Sequence, residues 1–269
     1  MKETNKTGKF LKGAAKLITL GNGYPKGAFN SAIIVAAGSG TRAGKGVPKQ
    51  FCDVGGIPIA ARTVSTFEGC SFINEIIIVA KPGTEPIFTD YMQKFGWTKV
   101  KKIVTGKASR QLSVFEGFKA ISDDSDYVYI HDGVRCLVTE EMIERVGEAA
   151  CLNGIAIAAK KASDSIKIAD KNDKVSSSPD RKTVWQAQTP QVFKTEIYRA
   201  AAYTALKNEF DASDDAMLAE ACGFPVKLVD CGEENIKITA PVDFLIAEAI
   251  LKYREEKSKE QSAKERKDR

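Results

Sequence analysis

Histidine is nearly missing from this sequence: His131 is the only one in 269 residues. A metal centre built from several histidines is therefore excluded, and a Ser-His-Asp triad would have one candidate base. The six cysteines (Cys52, Cys70, Cys136, Cys151, Cys222 and Cys231) include no Cys-x-x-Cys pair. That removes the spacing used by zinc sites and thioredoxin-like redox centres. Most of them lie in or beside apolar segments, as expected of buried, reduced thiols in a cytoplasmic enzyme. No apolar run approaches the ~20 residues of a membrane helix. The lysine-bearing stretch 1–26 has no contiguous apolar core of the kind a secretory signal needs. Internal repeats are absent too.

What is present is the composition of a globular domain, 43% hydrophobic and 28% charged. Net charge is +5, with much of the basic excess in the terminal segments. It reads as solvated tails before it reads as a nucleic-acid footprint. The expected organisation is an N-terminal extension over 1–30, one domain over 31–251, and a charged tail over 252–269, helical or disordered.

Along the domain, short apolar runs alternate with helical periodicities. Strands are expected at 31–37, 74–81, 101–105, 127–130, 155–159 and 226–229. Helices are expected at 57–67, 84–95, 113–121, 140–150, 195–207, 214–222 and from Pro241 to Tyr253. Between Lys160 and Gln188 the pattern is polar and irregular, which suggests hairpins projecting from the body. The alternation predicts an α/β fold with a mainly parallel, doubly wound sheet. Ligands of such sheets sit in the loops at the carboxyl ends of the strands. The loops after Val35, after Ile130 and around Asn235–Thr239 are rich in functional groups.

The first of these loops reads Ala36-Ala37-Gly38-Ser39-Gly40-Thr41-Arg42. A dinucleotide fingerprint fails narrowly, because Gly44 falls one residue late for Gly-x-Gly-x-x-Gly and no acidic residue closes the second strand. A P-loop fails because Ser39 occupies the position of its first glycine. What remains is a loop of small residues whose backbone N–H groups can approach an anion closely, flanked by Arg42 and Lys49. Such cations suit a triphosphate whose α-phosphorus is attacked while pyrophosphate leaves. The alternative is a surface turn with solvated charges. Asp132 closes an apolar strand and could accept substrate hydroxyls or cap the following segment. Lys237, between Ile236 and Ile238, would in a strand face the opposite side from both, toward a site or toward solvent.

Several ordered motifs carry a resemblance to a known family: the glycine loop with Pro48-Lys49-Gln50-Phe51, Arg110-Gln111-Leu112-Ser113-Val114, His131-Asp132-x-x-Arg135, Asp164-Ser165-Ile166-Lys167, Asp180-Arg181, Gln188-Thr189-Pro190-Gln191, Asp214-Asp215 and Asn235-Ile236-Lys237-Ile238-Thr239. From about Ala32 to Leu251 the sequence resembles the 2-C-methyl-D-erythritol 4-phosphate cytidylyltransferases of the non-mevalonate isoprenoid pathway. The resemblance implies a nucleotide-binding α/β sheet with a protruding β-arm, about 160–188, that forms a homodimer. It implies CMP transfer from CTP to the polyol phosphate, with Mg2+ on the triphosphate and no protein ligand for it named. Arg42, Lys49 and Lys237 would stabilise the transition state. The nucleotide would meet Ala36, Ala37, Gly38, Ser39, Gly40, Gly106 and Ser113. Asp132, Arg135, Ser165, Arg181 and Thr189 would bind the acceptor, with Arg181 from the other subunit. The nucleophile would be a phosphate dianion, so His131 is expected to be a packed residue rather than a base. No nucleic-acid or membrane partner is expected.

The chain departs from the family at Gly133, Cys136, Lys107, Ser165 and Ala43, where the family commonly has alanine, proline, glycine, threonine and methionine. Gly133-Val134-Arg135 is similar to a sister family that activates ribitol 5-phosphate, which is the alternative acceptor. More distant alternatives are a nicotinamide-dependent dehydrogenase and a non-catalytic nucleotide-binding protein.

Overall fold

The computed structural model describes residues 27–38 and 48–267. Among them the chain forms β1 (Asn30–Ala36), β2 (Asp53–Val54), β3 (Ile57–Pro58), α1 (Ile59–Gly69), β4 (Glu75–Ala80), α2 (Glu85–Phe95), β5 (Val100–Thr105), α3 (Arg110–Phe118) and β6 (Tyr127–Asp132). There follow α4 (Glu140–Asn153), β7 (Ile155–Lys161), β8 (Ile168–Ala169), β9 (Val175–Ser177), β10 (Trp185–Lys194), α5 (Thr195–Lys207), α6 (Asp215–Ala221), β11 (Lys227–Asp230) and α7 (Pro241–Lys267).

Seven strands make one sheet in the order β11-β7-β10-β6-β1-β4-β5. All neighbours run parallel except β10, which is antiparallel to both β6 and β7. The chain builds outward from β1 through β4 to β5 and then returns to place β6 on the other side of β1. That reversal opens a crevice between the carboxyl ends of β1 and β6. In the register of the two strands Val35 lies opposite Asp132, so the glycine loop and the Asp132 carboxylate leave the sheet side by side.

The unbroken apolar runs follow from burial on both faces. Alternate residues of β1 and β4 divide between two cores. Ile34, Ile76 and Ile78 pack with Phe67, Phe88 and Val146 on one face. Ile33, Ile77 and Val79 pack with Val114, Phe118 and Leu218 on the other. Each such side chain contributes about 1.5–3 kcal/mol when fully buried. A third cluster, including Val54, Val134, Cys136, Ile238 and Phe244, fastens the start of α7 to the segments after β6 and around Lys237.

Local signals set the helix starts. Ser109, Thr139 and Asp214 cap α3, α4 and α6 by accepting the N–H of Leu112, Met142 and Met217. The expected helix at 113–121 therefore starts three residues earlier, at Arg110, because Ser109 caps it.

Two further elements differ from expectation. The sequence pattern predicts no strand between Gln188 and Lys194, yet β10 runs from Trp185 to Lys194. Pro190 normally argues against a central strand, but here it falls where the β7–β10 register shifts between Ala187 and Gln191. The segment carrying Lys237 is irregular, in line with the loop expected around Asn235–Thr239. The hairpin between β7 and β10 is narrower than 160–188, since β7 continues to Lys161 and β10 begins at Trp185; within it β8 pairs antiparallel with β9. α7 passes through 251 and continues to Lys267, so the charged tail to that point is helix. No helix among the described residues is long and apolar enough to cross a membrane.

Gly117 faces the sheet from α3, and a Cβ there would lie 2.6 Å from Ile33 Cγ2 and 2.8 Å from Val79 Cγ2. Both are branched core residues with little freedom to give way. Gly117→Val is expected to lower stability by about 1–3 kcal/mol through overpacking, read as a fall in the thermal unfolding midpoint.

Candidate active site

A cleft of about 630 Å³ opens at the carboxyl ends of β1 and β6. The residues lining it include Ala36, Ala37, Gly38, Lys49, Asp132 and Lys237. A second pocket of about 230 Å³ adjoins it and shares Arg110, Asp132 and Lys237, adding Arg135, Thr189 and Gln191.

The glycine loop leaves β1 under the control of Gln50. This buried amide donates to the carbonyls of Ala36 (3.1 Å) and Gly38 (3.0 Å). Ser39, Gly40 and Arg42 lie outside the described residues. Lys49 donates from Nζ to the carbonyl of Ile238 at 2.8 Å, so its ammonium sits one residue from Lys237. Gly106 is buried, and a Cβ on it would run into Ala37. Only glycine lets the loop after β5 close against the loop after β1. The Ser113 hydroxyl is occupied within that loop, accepting from Lys107 N at 2.9 Å and donating to Ser109 O at 2.8 Å. Lys107 itself is exposed at the cleft.

Asp132 is the centre of the site. Its Oδ1 receives Arg110 Nε at 3.2 Å, and its Oδ2 faces Lys237 Nζ at 2.9 Å and Arg135 Nε at 3.7 Å. Burial alone would raise the Asp132 pKa, but Arg110, Lys237 and Arg135 outweigh it and hold the carboxyl well below the usual range. Burial lowers the proton affinity of Arg135, and Asp132 opposes that shift. Arg135 Nη1 donates to Asn235 O at 2.8 Å, while its buried Nε has no hydrogen-bond partner. Arg135 is one of the residues that line the smaller pocket.

Polar residues of β10 hold this arrangement from behind. Thr189 Oγ1 accepts from Asp132 N at 3.0 Å and donates to His131 Nδ1 at 3.0 Å. Asn235 Nδ2 donates to the Thr189 carbonyl at 2.8 Å, which fixes the Lys237 segment against β10. Thr189 thus lines the smaller pocket while its hydroxyl serves the backbone of Asp132. His131 is fully buried against Phe67. With Nδ1 accepting, Nε2–H donates to Arg135 O at 3.2 Å, so the ring is a neutral strut facing away from both pockets.

Ser165 and Arg181 lie exposed in the hairpin between β7 and β10, where Arg181 Nη1 donates to Ser163 O at 3.2 Å. They line neither pocket of their own chain. Conversely, Arg110, Gln50 and Gln191 shape the site although the sequence alone assigns them no role. One signal was available: a cation in the first turn of a helix opposes the helix dipole and so implies an outside partner. No cluster of three acidic, cysteine or histidine side chains that could hold a metal occurs among the described residues.

Residues 31–253 match the family model of 2-C-methyl-D-erythritol 4-phosphate cytidylyltransferase. The chain is similar to the protein of that name from Caldanaerobacter subterraneus subsp. tengcongensis, with 41% identity over 223 residues, 82% of this chain and 98% of that one. It is 41% identical over 227 residues to the one from Alkaliphilus oremlandii, covering 84% of this chain and 96% of the other. Among solved structures, the 4-diphosphocytidyl-2C-methyl-D-erythritol synthase of Anaerococcus prevotii superposes with a TM-score of 0.76 at 36% identity, covering 84% of this chain and 97% of that one.

His131 generates a pH prediction. Burial pushes its pKa down from 6.5 to about 3. Between those values the unfolded chain binds a proton that the folded chain does not, so stability falls as pH drops through this window. This group alone should make the protein about 2 kcal/mol less stable at pH 5 than at pH 7. Urea unfolding at the two pH values measures it, and His131→Gln should flatten the difference.

Proposed function

The chain belongs to the 2-C-methyl-D-erythritol 4-phosphate cytidylyltransferase family, and on that premise we propose that it transfers CMP from CTP to 2-C-methyl-D-erythritol 4-phosphate, releasing pyrophosphate in isoprenoid precursor synthesis. The observation that carries this reading is the meeting of Lys49, Lys237 and Asp132 around the 630 Å³ cleft and its 230 Å³ neighbour. A nucleoside triphosphate suits the larger space and a polyol phosphate the smaller. Lys237 and Asp132 stand at their junction, and Lys49 lines the larger one.

In the reaction an oxygen of the acceptor's phosphate bonds to the α-phosphorus of CTP. The bond to the bridging oxygen breaks, and its electron pair leaves with pyrophosphate. The glycine-loop backbone and Arg42 receive the phosphates, and Lys49 and Lys237 offset the charge that grows on the α-phosphoryl and leaving oxygens. Asp132 accepts acceptor hydroxyls, and Arg135, which lines the smaller pocket beside it, adds positive charge for the same substrate. Gly106 and the loop held by Ser113 border the nucleotide base. No general base is required, because the attacking phosphate is already anionic, and His131 remains neutral.

Asp132 is the only carboxylate lining the larger cleft among the described residues, and three cations already face it. These residues do not form a cation cage. Mg2+ accordingly enters this reading as part of the CTP complex, with no protein ligand assigned. Ser165 and Arg181 reach an acceptor only from a second copy, through exchange of the hairpin arms in a homodimer. The exposed Ile168 and Val175 on that hairpin support this assembly. The ribitol phosphate alternative loses ground, since the relatives described above carry the methylerythritol name.

Pyrophosphate release is expected to require CTP, Mg2+ and methylerythritol phosphate together, with ribitol, ribulose and glycerol phosphates as the competing acceptors. Turnover with ribitol phosphate alone would overturn the acceptor assignment. Lys49→Ala and Arg42→Ala should each lower turnover by about 100-fold or more with an unchanged circular dichroism spectrum. A variant near the wild-type rate would remove that cation from the phosphate clamp.

A further inference from the structure

Arg110 spans from the first turn of α3 to two acids on other elements. Its Nε meets Asp132 Oδ1 at 3.2 Å and its Nη1 meets Asp215 Oδ2 at 2.7 Å. Asp215 is 1% exposed and lines neither pocket. It is itself held from two sides: Tyr198 Oη donates to its Oδ1 at 3.2 Å, and its backbone N–H donates to Gln191 Oε1 at 3.0 Å. Gln191 completes the bracket by accepting from Ala216 N at 3.0 Å and donating to Asp214 Oδ2 at 3.1 Å.

The two oxygens of Asp132 are therefore held differently. Oδ2 faces Lys237 and Arg135, while Oδ1 is bonded to Arg110. Lys237 comes from an irregular segment and its side chain is 40% exposed, whereas Arg110 is 28% exposed and tied at its far end to an almost fully buried acid. If Lys237 turns to the nucleotide phosphates, Arg110 remains as the fixed cation on Oδ1, with Arg135 on the Oδ2 side.

We propose that Arg110 is a positioning residue for the acceptor site: anchored by Asp215, it fixes the Asp132 carboxylate in the orientation that receives the polyol. This inference rests on the cytidylyl-transfer reading of the same site. Its guanidinium fork explains why arginine is needed, because a lysine point charge could not bridge two acids on different elements.

The test is steady-state pyrophosphate release by the full chain with CTP, Mg2+ and methylerythritol phosphate. Arg110→Lys, which keeps the charge, should raise the acceptor KM by about ten-fold and leave the CTP KM within about two-fold. Asp215→Asn should shift the acceptor KM in the same direction although it touches neither pocket. Arg110→Met alone would leave Asp215 buried and unpaired, so Arg110→Met/Asp215→Asn serves as the folding-competent form. Its thermal midpoint should return toward wild type while the acceptor KM stays high. An unchanged acceptor KM in the double variant, with wild-type turnover normal, would overturn the proposal alone. An equal rise in both KM values would place Arg110 on the nucleotide instead and overturn it too. Absence of wild-type turnover would remove the transfer reading and this inference together.

Discussion

A carboxylate at the end of a buried strand is the constraint on which the site depends. Asp132 is 6% exposed, and an isolated charge there would be penalised by several kcal/mol or would take up a proton. Instead three cations arrive from three places: Arg110 from α3, Arg135 from the segment after β6, and Lys237 from the irregular segment before α7. Each of those segments is far from the others in sequence or separated by a turn. Their meeting marks where the larger cleft and the smaller pocket join. Removing one partner of such a buried set typically costs about 3–5 kcal/mol, so folding and function are both coupled to this point.

Around that charge the chain spends its polar residues on orientation. Thr189 holds the Asp132 backbone and the His131 ring, Asn235 holds the Lys237 segment to β10, and Gln50 holds the start of the glycine loop. Few of these groups face a substrate. They are buried, hydrogen-bonded and placed behind the groups that do, as precise electrostatic sites require.

The departures from the family take on physical meaning in this setting. A Cβ on Gly133 would lie 3.1 Å from the Val35 carbonyl and 3.3 Å from Ala36 Cβ, so glycine eases the packing of the turn after Asp132 against β1. Cys136 is buried in the cluster that seats α7, and burial raises its thiol pKa to about 11. Where a proline would have constrained the backbone, packing restrains it instead. Lys107 places one more cation at the edge of the cleft.

The layered fold was legible because its determinants are local. Apolar runs such as Ile76 to Val79, capping residues such as Asp214, and Pro241 at a helix start act within one element. β10 escaped because Gln188, Thr189 and Gln191 are polar and Pro190 interrupts the pattern; a register shift against β7 and a buried hydrogen-bond network make that strand stable. The sequence by itself determined the alternation of strands and helices, the glycine loop, and Lys49, Asp132 and Lys237 as candidates. Only the tertiary structure decided that Lys237 sits 2.9 Å from Asp132, that Arg110 bridges Asp132 to Asp215, and that Ser165 and Arg181 stay apart from them. The reason is physical: charge pairing and desolvation depend on distance in space, and residues 105 positions apart, like Arg110 and Asp215, acquire that distance only when the sheet has closed.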